Sequence, residues 1–143
     1  MILTTALGRV TAQRVGRSRT GDSILSILGI PYARAQRFHP PVPTDAPDDP
    51  DGRLPINSGL GQCFPQRLMP GAANLLLRHF QLRPEWRPRH DLMSEDSLRL
   101  NVWTSGTNDP KPVLVFIHGG DCGSGTLPVY DGTRLAGQDI VVV

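Results

Sequence analysis

The chain has 143 residues, 38% of them hydrophobic and 20% charged, with a formal charge of +2. That balance excludes a disordered chain and fits one globular domain, residues 1–143. Its basic residues are scattered without a basic block and no run approaches the roughly 20 apolar residues that span a bilayer, so neither nucleic acid nor membrane is expected as a partner.

The first nineteen residues carry arginines at 9, 14, 17 and 19 and no compact apolar run, so they do not read as a secretory signal. Residues 9–15 alternate weakly and residues 23–30 carry Ile24, Leu25, Ile27, Leu28 and Ile30. Both read as strands, with Gly21-Asp22 as the hairpin turn between them. Prolines and glycines cluster from Ile30 to Pro70, which predicts extended loop, including a solvated acidic loop at 45–51. Apolar residues at helical spacing predict a helix over 72–82, stopped by Pro84 and Pro88.

Residues 98–104 alternate as a half-buried strand with Leu98, Leu100 and Val102 on one face. Residues 113–117 form a continuous apolar run between Pro112 and Gly119-Gly120, expected as a central strand covered on both faces. A short helix over 133–138 would join it to the apolar run 140–143. Strand, loop, helix, strand is the order of a parallel α/β sheet. Parallel strands need cover on both faces, so a sheet reaching only to 140–143 is expected to be incomplete.

The chemistry-bearing residues are His118-Gly119-Gly120, directly after the strand 113–117. A glycine-rich loop at that place exposes backbone N–H groups that can stabilise an oxyanion, and a Cβ would block both the backbone and the approach of substrate. Alone, the three residues are read more readily as a glycine turn ending a strand.

Further segments join them in order: Gly29-Ile30-Pro31-Tyr32-Ala33, Arg37-Phe38 with Pro40-Pro41, Cys63 with Pro65-Gln66, residues 94–103 (SEDSLRLNVW), 112–120, Tyr130-Asp131-Gly132 and 139–143. In this series the chain resembles the type B carboxylesterase and cholinesterase family. The resemblance implies an α/β-hydrolase fold: small antiparallel N-terminal strands, then mostly parallel core strands. It implies a serine carboxylic-ester hydrolase acting on a small-molecule ester, with a Ser–His–Glu/Asp triad whose serine sits in a G-x-S-x-G elbow. None of the serines at 18, 23, 26, 58, 94, 97, 105 and 124 lies in such an elbow, and Gly123-Ser124-Gly125 has the wrong spacing. None of the four histidines stands where the family keeps its base. The chain is therefore expected to be truncated before the elbow and inactive alone. The alternatives are a non-catalytic cholinesterase-like interaction module and a truncated or decayed gene product.

By resemblance the oxyanion donors are the N–H groups of Gly120 and Asp121, with Gly119 shaping the turn. The family uses a small residue where this chain has Asp121, whose carboxylate would oppose the developing negative charge. His118 is expected to pack or hydrogen-bond under the loop, and His39, His79 and His90 to lie at the surface. Arg37 and Glu95 are expected to form a structural ion pair, worth about 0–1 kcal/mol if exposed and about 3–5 kcal/mol on losing one partner if buried. Trp103 and Tyr32 are expected in the core. Cys63 resembles the first cysteine of a loop disulfide in secreted members, but Ser97 stands at the partner position. Cys63 and Cys122 are thus expected as thiols, and a cytoplasmic location with them. They lack CxxC spacing, so neither metal nor cofactor is expected.

Overall fold

The computed structural model describes residues 1–5, 8–44, 63–66, 93–106, 109–120 and 130–143. The acidic loop at 45–51, the helix over 72–82, and His79, His90, Asp121, Cys122 and Ser124 lie outside the described residues. The strands are β1 (Ile2–Thr5), β2 (Gly8–Thr11), β3 (Gln13–Arg17), β4 (Ser23–Pro31), β5 (Ala33–Arg34), β6 (Val42–Pro43), β7 (Arg99–Ser105), β8 (Val113–Leu114) and β9 (Val141–Val142). One short helix, α1 (Thr133–Ala136), is described between β8 and β9. The pairs β1–β2 and β5–β6 stand apart from a five-stranded sheet in the order β3-β4-β7-β9-β8.

The strand expected over 9–15 is two strands. The chain breaks at Ala12, which is buried and whose backbone is engaged by the first residue: its N–H donates to the Met1 carbonyl at 2.7 Å and its carbonyl accepts from the Met1 ammonium at 2.6 Å. The β3–β4 turn is longer than Gly21-Asp22. It runs over 18–22, closed by the Ser18 N–H on the Asp22 carbonyl at 2.8 Å, with Gly21 at φ 94°.

In β4 the apolar residues do not alternate strictly, and the structure shows why. Leu25 and Ile27 face one side, with Val10 and Ala12; Ile24 faces the other, with Trp103, Ala136 and Val142. A bulge between Ile27 and Ile30 inserts an extra step, so Ile30 returns to the side of Leu25 and Ile27. Gly29 stands in the bulge at φ 73°, a left-handed conformation that costs glycine little. The irregular backbone there is satisfied from β7: the Gly29 N–H donates to Asn101 Oδ1 at 2.7 Å, and Arg99 Nη1 donates to the Gly29 carbonyl at 2.9 Å.

The second half of β7 is more buried than its alternation suggested, because both faces are covered there. Val102 packs with the first cluster and Trp103, 5% exposed, with the second. Burial of that size makes Trp103 worth about 3–5 kcal/mol against alanine. Tyr32, expected beside it in the core, is 49% exposed. It falls between β4 and β5, where the chain has left the sheet.

The strand–helix–strand unit is present: β8 and β9 run parallel, joined through α1. The other pairings in the sheet, β3–β4, β4–β7 and β7–β9, are antiparallel. The described sheet is thus mixed: its N-terminal strands pair antiparallel as expected, and of the later strands β8 and β9 are parallel while β7 and β9 are antiparallel. The expectation of a covered central strand over 113–117 is also corrected. β8 lies at the sheet edge, and Val113, Val115, Phe116 and Ile117 are 52–87% exposed. A run without polar residues signals burial in a complete sheet but cannot supply the neighbours that bury it. No described helix is long and apolar enough to cross a membrane.

Candidate functional site

Residues 115–120 leave β8 at its C-terminal end, where the parallel ladder with β9 holds them. The Phe116 N–H donates to the Val143 carbonyl at 2.7 Å and the Val143 N–H to the Leu114 carbonyl at 2.8 Å. Two residues past Phe116 the chain reaches His118, and His118, Gly119 and Gly120 are all exposed. Gly120 adopts φ 134°, a conformation closed to side-chain-bearing residues without strain. At Gly119 an added Cβ would meet no atom of the described residues within 4 Å. The turn therefore offers exposed backbone just past the end of a strand. Asp121 lies outside the described residues.

His118 does not present an idle imidazole. Its Nδ1 lies 2.9 Å from the Gly119 carbonyl, which can only accept, so Nδ1 carries the proton. Its ring stacks on Tyr130 with centroids 6.0 Å apart, and Tyr130 also meets Phe116 at 5.2 Å. The three rings brace the turn against the segment that leads into α1.

The ion-pair residues meet: Arg37 Nη1 is 3.3 Å from Glu95 Oε1, with side chains 70% and 49% exposed. An exposed pair of that kind contributes about 0–1 kcal/mol. It ties the turn at 37–39 to the Ser94–Ser97 region, as does the Tyr32 N–H on the Leu98 carbonyl at 3.1 Å. A cavity of about 430 Å³ opens here, lined by Pro31, Arg34, Glu95, Asp96, Leu98 and Arg99, and includes none of residues 118–120. His39 is exposed at the same turn. Cys63 is buried and its carbonyl accepts from the Ser94 N–H at 2.9 Å. Among the described residues no group of three or more His, Cys, Asp or Glu side chains converges as a metal site would require.

Sequence reasoning missed a polar cluster at the opposite end of the sheet. Ser105, fully buried at the end of β7, donates from Oγ to Asp139 Oδ1 at 2.8 Å. Lys111, just before β8, donates from Nζ to the same Asp139 oxygen and lies 3.3 Å from Ser105 Oγ. The Lys111 hydrogen bond, followed by that of Ser105, holds the Asp139 carboxyl below the usual aspartate range. Asp139 sits at φ 68°, a region that Asp and Asn enter more readily than other side chains. The signal available in the sequence was a lone lysine and a lone aspartate ahead of two apolar runs.

The model of the carboxylesterase family matches residues 1–143. The chain is 36% identical to acetylcholinesterase from Gallus gallus over 97% of its own length and 18% of that protein's. It is 36% identical to cholinesterase from Mus musculus, covering 99% of this chain and 23% of that one. It is 34% identical to cocaine esterase from Oryctolagus cuniculus, covering 99% of this chain and 26% of that one. The chain thus spans about a quarter or less of the length of these relatives.

Proposed function

Because the chain belongs to the carboxylesterase family, we propose that it is the N-terminal part of a serine carboxylic-ester hydrolase and supplies the oxyanion-binding turn. The observation that carries this reading is the exposed His118-Gly119-Gly120 turn at the end of β8, with Gly120 at φ 134°. When a nucleophile attacks an ester carbonyl, the carbonyl oxygen takes up a full negative charge. Backbone N–H groups fixed in advance at that position stabilise the charge with no reorganisation, which lowers the barrier. Glycines let those donors face the substrate. His118, engaged by the Gly119 carbonyl and by Tyr130, holds the turn and does not serve as the base. The 143 residues contain no G-x-S-x-G serine, so the nucleophile and its base must come from other polypeptide.

The test is a chimera in which this chain replaces the matching N-terminal segment of the rabbit cocaine esterase. The folded chimera should hydrolyse short-chain p-nitrophenyl esters with saturation kinetics, while the 143-residue chain alone stays at the level of an empty-vector control. A soluble, cooperatively melting chimera without hydrolysis would overturn the reading. So would turnover by the chain alone that a serine-directed phosphonate abolishes.

A further inference from the structure

We propose that Lys111, Asp139 and Ser105 form a register lock that fixes β8 on β9 and so sets the height and the face at which the 118–120 turn leaves the sheet. The need for such a lock follows from the two strands themselves. Residues 113–117 read Val-Leu-Val-Phe-Ile and residues 140–143 read Ile-Val-Val-Val, without a polar residue in either. Register is strongly specified where apolar and polar residues alternate, because a slip of one residue then exposes the core face. Here a slip exchanges one apolar side chain for another, and the hydrophobic pattern scarcely opposes it. The described ladder is also short, with Val113 opposite Val141 and Leu114 opposite Val142.

Lys111 and Asp139 each lie two residues before β8 and β9, Asp139 in the left-handed turn that leads into β9, and their side chains meet when Val113 stands opposite Val141. A slip of β8 by one residue would carry the attached lysine by about 3.3 Å along the strand direction. The ammonium and the carboxylate then part. Ser105 adds the third strand: its hydroxyl, fully buried at the end of β7, holds the same carboxylate oxygen. The lock therefore sits where the chain leaves β7 and enters β8 and β9, while the glycine turn sits at the far end of β8. A slip of β8 would carry Gly120 with it, displacing any oxyanion donor by about one residue's rise. The consequence for catalysis rests on the ester-hydrolase reading; the register itself does not.

Cysteine pairs read the register directly. In a Cys122→Ser background of the 143-residue chain, Val113→Cys is combined in turn with Val141→Cys, Ile140→Cys or Val142→Cys. The pairs are oxidised in dilute lysate, and linked peptides are quantified by mass spectrometry. The 113–141 link should dominate. Lys111→Met and Asp139→Asn should each lower its ratio to the slipped links at least several-fold, and Lys111→Arg should preserve it. Asparagine is chosen because it tolerates the left-handed backbone at 139. An Ile30→Cys and Leu100→Cys pair across β4 and β7 reports whether the rest of the sheet is formed. Loss of every β8–β9 link with that control intact supports the lock equally, since β8 would then have come away. An unchanged ratio in both single variants overturns the proposal, and so does loss of the control link along with the others. The readout is a covalent link and not hydrolysis, so a failure of the ester-hydrolase reading would leave it standing.

Discussion

Gly119 and Gly120 are neighbours with different physical reasons for being glycine. At φ 134° a side chain on residue 120 is strained by about 1–3 kcal/mol, whereas at residue 119 a Cβ would meet no atom of the described residues. If Gly120 serves as proposed, Gly120→Ala in the chimera should lower the Tm and, by displacing the residue-120 N–H, reduce kcat on simple esters by up to about 10²-fold with KM little changed. Gly119→Ala should leave the Tm unaltered. Equal Tm losses in both variants would contradict this division. Asp121→Gly should raise kcat in the chimera with KM nearly constant, because the carboxylate penalises the charged intermediate more than the neutral ground state. Each 1.4 kcal/mol or so of penalty removed corresponds to about a tenfold gain in rate. A slower glycine variant would assign Asp121 a positive role.

The elements most sensitive to substitution are α1 and the strands on either side of it. The Asp131 carboxylate accepts from the Thr133 N–H at 2.7 Å to start the helix, and Gly132 lies against the Trp103 ring. A Cβ at Gly132 would stand 2.7 Å from Trp103 Cε3 and 3.0 Å from Val142 Cγ1. Trp103 is packed on β4 and β9 and cannot retreat. Gly132→Ala should therefore destabilise by roughly 1–3 kcal/mol through overpacking, measured as a lower denaturation midpoint. Gly137→Ala, whose Cβ would first meet a backbone oxygen at 3.3 Å, should cost less. The same elements carry the acid sensitivity. Because the Asp139 carboxyl titrates lower in the folded than in the unfolded chain, its contribution is present above the ordinary aspartate range near pH ~4. It is lost as pH falls through the lower folded value. Unfolding midpoints followed from pH 6 to pH 2 should fall more steeply for the wild type than for Asp139→Asn across that window; parallel curves would count against the pairing.

In the sheet of the described residues, β8 is an exposed edge. In the ladder with β9 the backbone groups of residues 112, 114 and 116 point inward, so those of Val113, Val115 and Ile117 point outward, among exposed apolar side chains. Past Pro112 this edge carries no charge, proline or bulge through Ile117, and such an edge recruits other strands. The 143-residue chain should self-associate with rising concentration in sedimentation velocity, and Val115→Lys should shift it toward monomer by placing a charge on that edge. A wild-type chain that stays monomeric at all concentrations would show the edge to be protected by other means.

Local pattern alone was enough to locate β4, β7 and the strand–helix–strand unit around α1, because hydrophobic period, turn residues and glycines are written in neighbouring positions; it merged β2 with β3 and placed the β3–β4 turn too narrowly. The family could be read from the ordered motifs, and the place of His118-Gly119-Gly120 from the apolar run before it. What the sequence could not show was anything that depends on partners distant along the chain. The bulge at Gly29 is satisfied by Asn101 and Arg99 some seventy residues away, and Lys111 finds Asp139 only when β8 and β9 come side by side. The exposure of 113–117 is of the same kind: an apolar run states which residues prefer burial, but only the strands beside it determine whether they are buried.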